Sequence, residues 1–142
     1  MTQSPDPRTA GTSLRDSLTA IETWNPETKA MLTVLSDTAR ESAARIDEHQ
    51  RKGDWCGLLA GMTMSIKDNI DIAGTITTAG SKILANNMTN RDAFIVERLK
   101  HAGAVIVGKA NLHEWVFGPT SQSTHYGPVR NPWDISRIPG GS

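Results

Sequence analysis

Apolar residues recur along this chain at two spacings, and the change near Gly57 separates a helical first part from a glycine-punctuated second part. Residues 1 to 12 are polar with two prolines, Pro5 and Pro7, and predict a loose leader. From Ser13, a suitable N-cap, Leu14, Leu18 and Ile21 recur at helical spacing and predict a short amphipathic helix ending near Trp24. A second helix is predicted with Asn25 as its cap and Pro26 in its first turn. Its apolar stripe is Ala30, Val34, Leu35, Ala39, Ala43 and Ile46. Its end is the charged run His49-Gln50-Arg51-Lys52 before Gly53, which suits the negative end of the helix dipole.

Beyond Gly57 the pattern predicts a strand over 62–67, a Thr- and Gly-rich loop over 68–80 and a helix over 92–101. Asp92 is read as the cap of that helix, Ala93, Val96 and Leu99 as its apolar face, and Gly103 as its stop. Ala104, Val105, Ile106 and Val107 are continuously apolar and mostly β-branched, as in a strand buried on both faces of a largely parallel sheet. Such a central strand is expected to have neighbours beyond residue 142. Strand, helix and strand in succession argue for an α/β class. A helical turn near 111–115 and a long irregular stretch over 118–142 follow, the latter with Pro119, Pro128, Pro132 and Pro139. A segment that irregular is expected to line a site.

Composition narrows the function less than the pattern does. With 142 residues and 37% hydrophobic side chains, the chain is long enough for one domain with a core. Fifteen basic and fifteen acidic side chains cancel, so no global field favours nucleic acid or an anionic membrane. The N-terminal residues lack the apolar core of a signal peptide, and the expected location is cytoplasmic. Cys56, the one cysteine, cannot form an internal disulfide, and the Asn87-Met88-Thr89 sequon is read as chance.

Two motif matches fail on inspection. Gly103 to Lys109 fits the opening of a phosphate-binding loop, but Ala110 stands where a Ser or Thr must hold magnesium, and its middle is a strand sequence. His113-Glu114 begins like a zinc helix without the second histidine, and His49, His101, His113, His125 and Cys56 form no ligand pattern. Lys67 is different. A charged residue in the strand-like run Gly61-Met-Thr-Met-Ser-Ile-Lys67 must either snorkel to solvent, pair with Asp68 or Asp71, or do chemistry. Burial favours the neutral amine, which can serve as a base that activates a serine. Hydroxyls are near in sequence or follow it: Thr75, Thr77, Thr78, Ser81, Ser121, Ser123 and Ser142. Lys109 follows the apolar strand and has no such reading.

Several blocks in order, Gly61 to Ile70, Thr77-Thr-Ala-Gly-Ser81, Asp92 to Lys109, Asn111-Leu-His-Glu114, Tyr126 to Asp134 and Pro139-Gly-Gly-Ser142, resemble the amidase signature family of serine hydrolases. The resemblance covers residues 57–142, with residues 1–56 resembling more loosely its N-terminal helical arm. It implies the N-terminal part of an α/β/α fold with a central mixed sheet, within a single amidase domain that continues past Ser142. It also implies a Ser/cis-Ser/Lys catalytic set. Lys67 matches the lysine, and Ser142 matches the bridging serine preceded by a cis bond. The nucleophile and the glycine-rich oxyanion amides are expected beyond residue 142, so residues 1–142 alone are expected to be inactive. Val116, Phe117 and Gly118 match the wall of the acyl pocket. No metal or organic cofactor is implied. The expected partner is a small-molecule amide, with neither nucleic acid nor membrane, and a homodimer is left open for the full-length enzyme.

The resemblance implies hydrolysis of a carbon–nitrogen amide bond to a carboxylate and ammonia or an amine. One alternative is the A-type subunit of a glutamyl-tRNA(Gln)/aspartyl-tRNA(Asn) amidotransferase, whose segment usually reads Met-Asp-Glu where this chain has Leu112-His113-Glu114. Another is a non-enzymatic fragment or interaction module.

Overall fold

The computed structural model describes residues 9–122 and 125–142; Ser123 and most of the predicted leader lie outside the described residues. The main elements are α1 (Ala10–Thr28), β1 (Met31–Val34), α2 (Ser36–Arg51), β2 (Thr63–Lys67), α3 (Phe94–His101) and β3 (Val105–Ala110). Short 3-10 turns span Lys82–Leu84 and Glu114–Val116.

The first part differs from its predicted pair of helices. α1 begins three residues earlier than Ser13 because its first amides are satisfied from two sources. Thr9 accepts from the Thr12 amide at 3.1 Å, and the Asp47 carboxylate on α2 accepts from Ala10 N at 2.7 Å and Gly11 N at 3.0 Å. The helix then runs through Pro26 to Thr28 and ends at Lys29 in the left-handed region, with φ 50°. Asn25 is therefore no N-cap. Its side chain accepts from Met31 N at 2.7 Å and donates to Met31 O at 3.1 Å, as a neighbouring strand would. That clamp starts β1, a strand lying inside the segment read as wholly helical.

β3 is the middle strand of a mixed sheet in the order β1-β3-β2, antiparallel to β1 and parallel to β2. Both of its neighbours come from this chain, which corrects the expectation that they would include strands from beyond residue 142. β1 passes so close that a Cβ on Gly108 would stand 2.2 Å from Thr33 O, so Gly108 is a close-approach glycine rather than part of a phosphate loop.

β3 also divides the core. Val105 and Val107 pack with Ala10, Leu14, Ala39 and Ala43 of α1 and α2, while Ile106 packs with Ile66, Ile72 and Val96. Helices thus cover both faces of the sheet, giving the predicted α/β/α layering. α3 is as predicted apart from its cap: Asp92 makes no cap bond, but accepts from Ala73 N at 2.8 Å and pairs with Lys100 at 2.6 Å. Gly103 stops the chain's helical course at φ 87°, where a Cβ would meet Cys56 O at 2.2 Å.

Candidate active site

The site is built at the end of β2. Ile66 enters the core cluster shared with α3, and strand alternation sends the next side chain, Lys67, the other way. There Lys67 Nζ donates to Ser142 Oγ at 2.6 Å, across 75 positions of sequence. Among the described hydroxyls that the sequence singled out, Ser142 is the one that bonds Lys67. Ser81 instead accepts from Ile83 N at 3.3 Å and caps a 3-10 turn.

The turn carrying Ser142 needs both of its glycines. Gly140 has φ 105°, and a Cβ on Gly141 would stand 2.4 Å from Pro119 C and 2.6 Å from its oxygen. The turn therefore rests on the backbone directly after Gly118. The Gly141–Ser142 bond is trans here, and the cis bond that the resemblance implies is an expectation for the full-length enzyme.

Val116, Phe117 and Gly118 occupy the segment on which that turn leans. Trp115 and Val116 have φ 57° and 63°, a conformation that a β-branched residue such as Val116 rarely adopts. Phe117 is 88% exposed. Gly118 lies against the His113 ring, where a Cβ would come within 2.4 Å, and His113 Nδ1 is 3.3 Å from Thr120 Oγ1. Two other histidines serve local structure: His101 Nδ1 meets Glu97 O at 2.7 Å at the end of α3, and His49 pairs with Asp54, while His125 Nε2 lies 3.5 Å from Glu114 Oε1. Among the described residues no group of three His, Cys, Asp or Glu side chains could hold a metal ion.

Sequence reasoning missed the charges behind this surface. Lys109 is wholly buried and Asp68 is 1% exposed, and Lys109 Nζ lies 2.9 Å from Asp68 Oδ1. That oxygen takes no aligned hydrogen bond, so the contact is an ion pair held by charge and burial. Lys109 also donates to Thr77 Oγ1 at 2.8 Å and Ile76 O at 3.4 Å. Asp68 Oδ2 accepts from Thr78 N at 3.0 Å and from the Thr78 hydroxyl. Asp68 thus pairs with Lys109, not with Lys67. The signal becomes visible only once β3 is seen to run on to Ala110, which puts Lys109 inside a buried strand.

The family model described as Amidase matches residues 12–142. The A-type subunit of the glutamyl-tRNA(Gln) amidotransferase from Carboxydothermus hydrogenoformans is 44% identical over 122 residues, which are 86% of this chain and 25% of that protein. Among solved structures, one described as an unexpected vestigial protein complex revealing the evolutionary origins of an s-triazine catabolic enzyme aligns with a TM-score of 0.92. It is 38% identical over 95% of this chain and 30% of that one. Native peptide amidase from Stenotrophomonas maltophilia aligns with a TM-score of 0.86 at 34% identity, over 95% of this chain and 29% of that one. This chain spans about a quarter of the length of the curated relatives it matches. A family match that takes in both Lys67 and Ser142, together with a fold shared with solved amidases, means that the chain belongs to the amidase family.

Proposed function

We propose that residues 1–142 are the front of a single amidase domain in which Lys67 and Ser142 relay protons during hydrolysis of a carboxamide. The observation that carries this reading is the 2.6 Å contact between two side chains 75 positions apart, which no local geometry imposes. Lys67, as the free amine, takes the Ser142 hydroxyl proton while Ser142 takes one from a nucleophilic serine in the chain that follows. The resulting alkoxide attacks the amide carbonyl, and the relay returns the proton to the departing nitrogen. Water then releases the carboxylate. Val116, Phe117 and Gly118 form one wall of the acyl pocket, an assignment supported by the Gly140-Gly141 turn packing directly after them.

In the full-length protein, Lys67→Ala is expected to lower kcat for amide hydrolysis by about 100- to 10,000-fold, the usual contribution of a positioned proton-transfer group. A variant within a few-fold of the parent would remove Lys67 from the mechanism.

A second reading, the A-type subunit of a tRNA-dependent amidotransferase, is favoured by the name of the relative at 44% identity. The stand-alone reading is supported by His113, which packs on Gly118 at the proposed wall and stands where the A-type segment usually carries Asp. The two differ in the fate of ammonia. Release from glutamine only when charged tRNA and the partner subunits are added supports the amidotransferase, and release by the protein alone from simple amides supports the amidase.

A further inference from the structure

We propose that the buried Lys109–Asp68 pair, acting through the strap 77–80, is the positioning device that holds Lys67 against Ser142. The inference rests on the proton relay proposed above. Asp68 is the residue after Lys67, and its amide is tied to Ala110 O at 3.0 Å, so one peptide unit separates the lysine backbone from an anchored carboxylate. That carboxylate is held on both oxygens, by Lys109 on one and by Thr78 on the other.

The strap is fixed along its whole length. Thr77 accepts from Lys109, Ala79 N donates to Asp68 O at 2.9 Å, and Gly80 N donates to Thr78 Oγ1 at 3.0 Å. Its far side is pinned where Trp115 N donates to Ala79 O at 2.8 Å. Ala79 stands at φ 50°, which costs a non-glycine residue about 1–2 kcal/mol and persists only where surrounding contacts impose it. A buried ion pair contributes little net stability compared with apolar groups of the same volume. What this pair supplies is a unique geometry: displacing Asp68 in any direction leaves a desolvated charge. A long lysine side chain reaching a hydroxyl at 2.6 Å benefits from that fixed origin, because small misplacements of a reacting group lower rates steeply.

The test uses the full-length protein and a fluorophosphonate reagent. With it, the nucleophilic serine oxygen bonds to phosphorus as fluoride leaves and the relay takes the hydroxyl proton, so no substrate need be known. Thr78→Val removes the hydroxyl that clamps Asp68 and keeps the shape. It is expected to lower the limiting labelling rate per folded molecule by about ten- to a hundredfold, with the half-saturating reagent concentration unchanged and Thr78→Ser restoring the rate. A merely structural role would lower thermal stability but leave that rate intact.

An unchanged limiting rate in Thr78→Val, or an equal loss in Thr78→Ser, would overturn the proposal. If Thr78→Val does not accumulate as folded protein, Asp68→Asn/Lys109→Met, which leaves no unpaired charge, replaces it with the same expected loss. Lys67→Ala separates the two levels. If it labels as fast as the parent, or if the parent does not label, the relay itself is wrong and this inference falls with it. If it is silent while Thr78→Val is normal, only the positioning role fails.

Discussion

Lys109→Met removes a fully buried ammonium and leaves the Asp68 carboxylate, 1% exposed, without its counter-charge. Methionine refills most of the lysine stem's volume, so little of the effect comes from a cavity. Breaking a buried pair from one side costs about 3–5 kcal/mol, because the surviving charge stays desolvated. Loss of the donor to Thr77 adds about 1–3 kcal/mol of unsatisfied polar burial at most. Asp68→Asn should fall in the same range from the other side. The double variant carries neither charge and should lie within about 2 kcal/mol of the parent, well short of the sum of its singles. Urea unfolding of the full-length protein, followed by tryptophan fluorescence at unchanged slope, measures all three differences. Single variants costing under about 1 kcal/mol, the range of solvated surface pairs, would refute the reasoning, as would a double variant that costs the full sum. A stable double variant with slow chemistry would separate the pair's contribution to folding from its contribution to Lys67.

Gly103→Ala should destabilise far more than Gly53→Ala: both have positive φ, but a Cβ meets Cys56 O at 2.2 Å at position 103 and nothing within 4 Å at position 53, and denaturation midpoints compare them. Gly141→Ala should push the terminal turn off Pro119 and abolish the Lys67–Ser142 contact, read as a loss of fluorophosphonate labelling without loss of helical circular dichroism. Burial pushes the Asp92 carboxyl up, but the Lys100 ammonium and the Ala73 amide outweigh it and hold the carboxyl below its ordinary value. The stability Asp92 contributes is therefore present above about pH 3.9, the unfolded value, and is lost as pH falls through the lower folded one. Asp92→Asn should flatten that part of an acid-unfolding curve.

The parts of the fold that were legible are those written locally. α3 carries its apolar face and its stop glycine within ten residues, and β3 opens on an uninterrupted apolar run, so periodicity finds both. β1 is not written locally. In the fold its first two residues are half-buried and its last two exposed, without a strand's alternation, and what makes them a strand is pairing with β3 and the Asn25 clamp on Met31. The apolar residues Val34 and Leu35 sit at a strand-to-helix junction, where a helical stripe counts them just as readily. The early start of α1 has the same cause, since the Asp47 carboxylate that caps it comes from 36 or 37 positions away.

The candidate site divides along a similar line. Lys67 and Ser142 were found because each is chemically out of place, a charge in a strand and a hydroxyl on a double-glycine turn. Local sequence cannot join them; the resemblance did, and the structure puts them at 2.6 Å. Lys109 escapes a sequence reading because the apolar run ends at Val107, so the lysine stands after the predicted strand, where a charge needs no explanation. In the structure β3 continues to Ala110, so a lysine near its buried end must find a counter-charge, and parallel pairing sets Ile66 opposite Lys109 and so brings Asp68 within reach. The same register therefore sends two lysines in adjacent strands to different partners: Lys109 inside to the Asp68 carboxylate, and Lys67 to the Ser142 hydroxyl. Had Asp68 paired with Lys67 instead, the proposed relay would have lost its contact with Ser142.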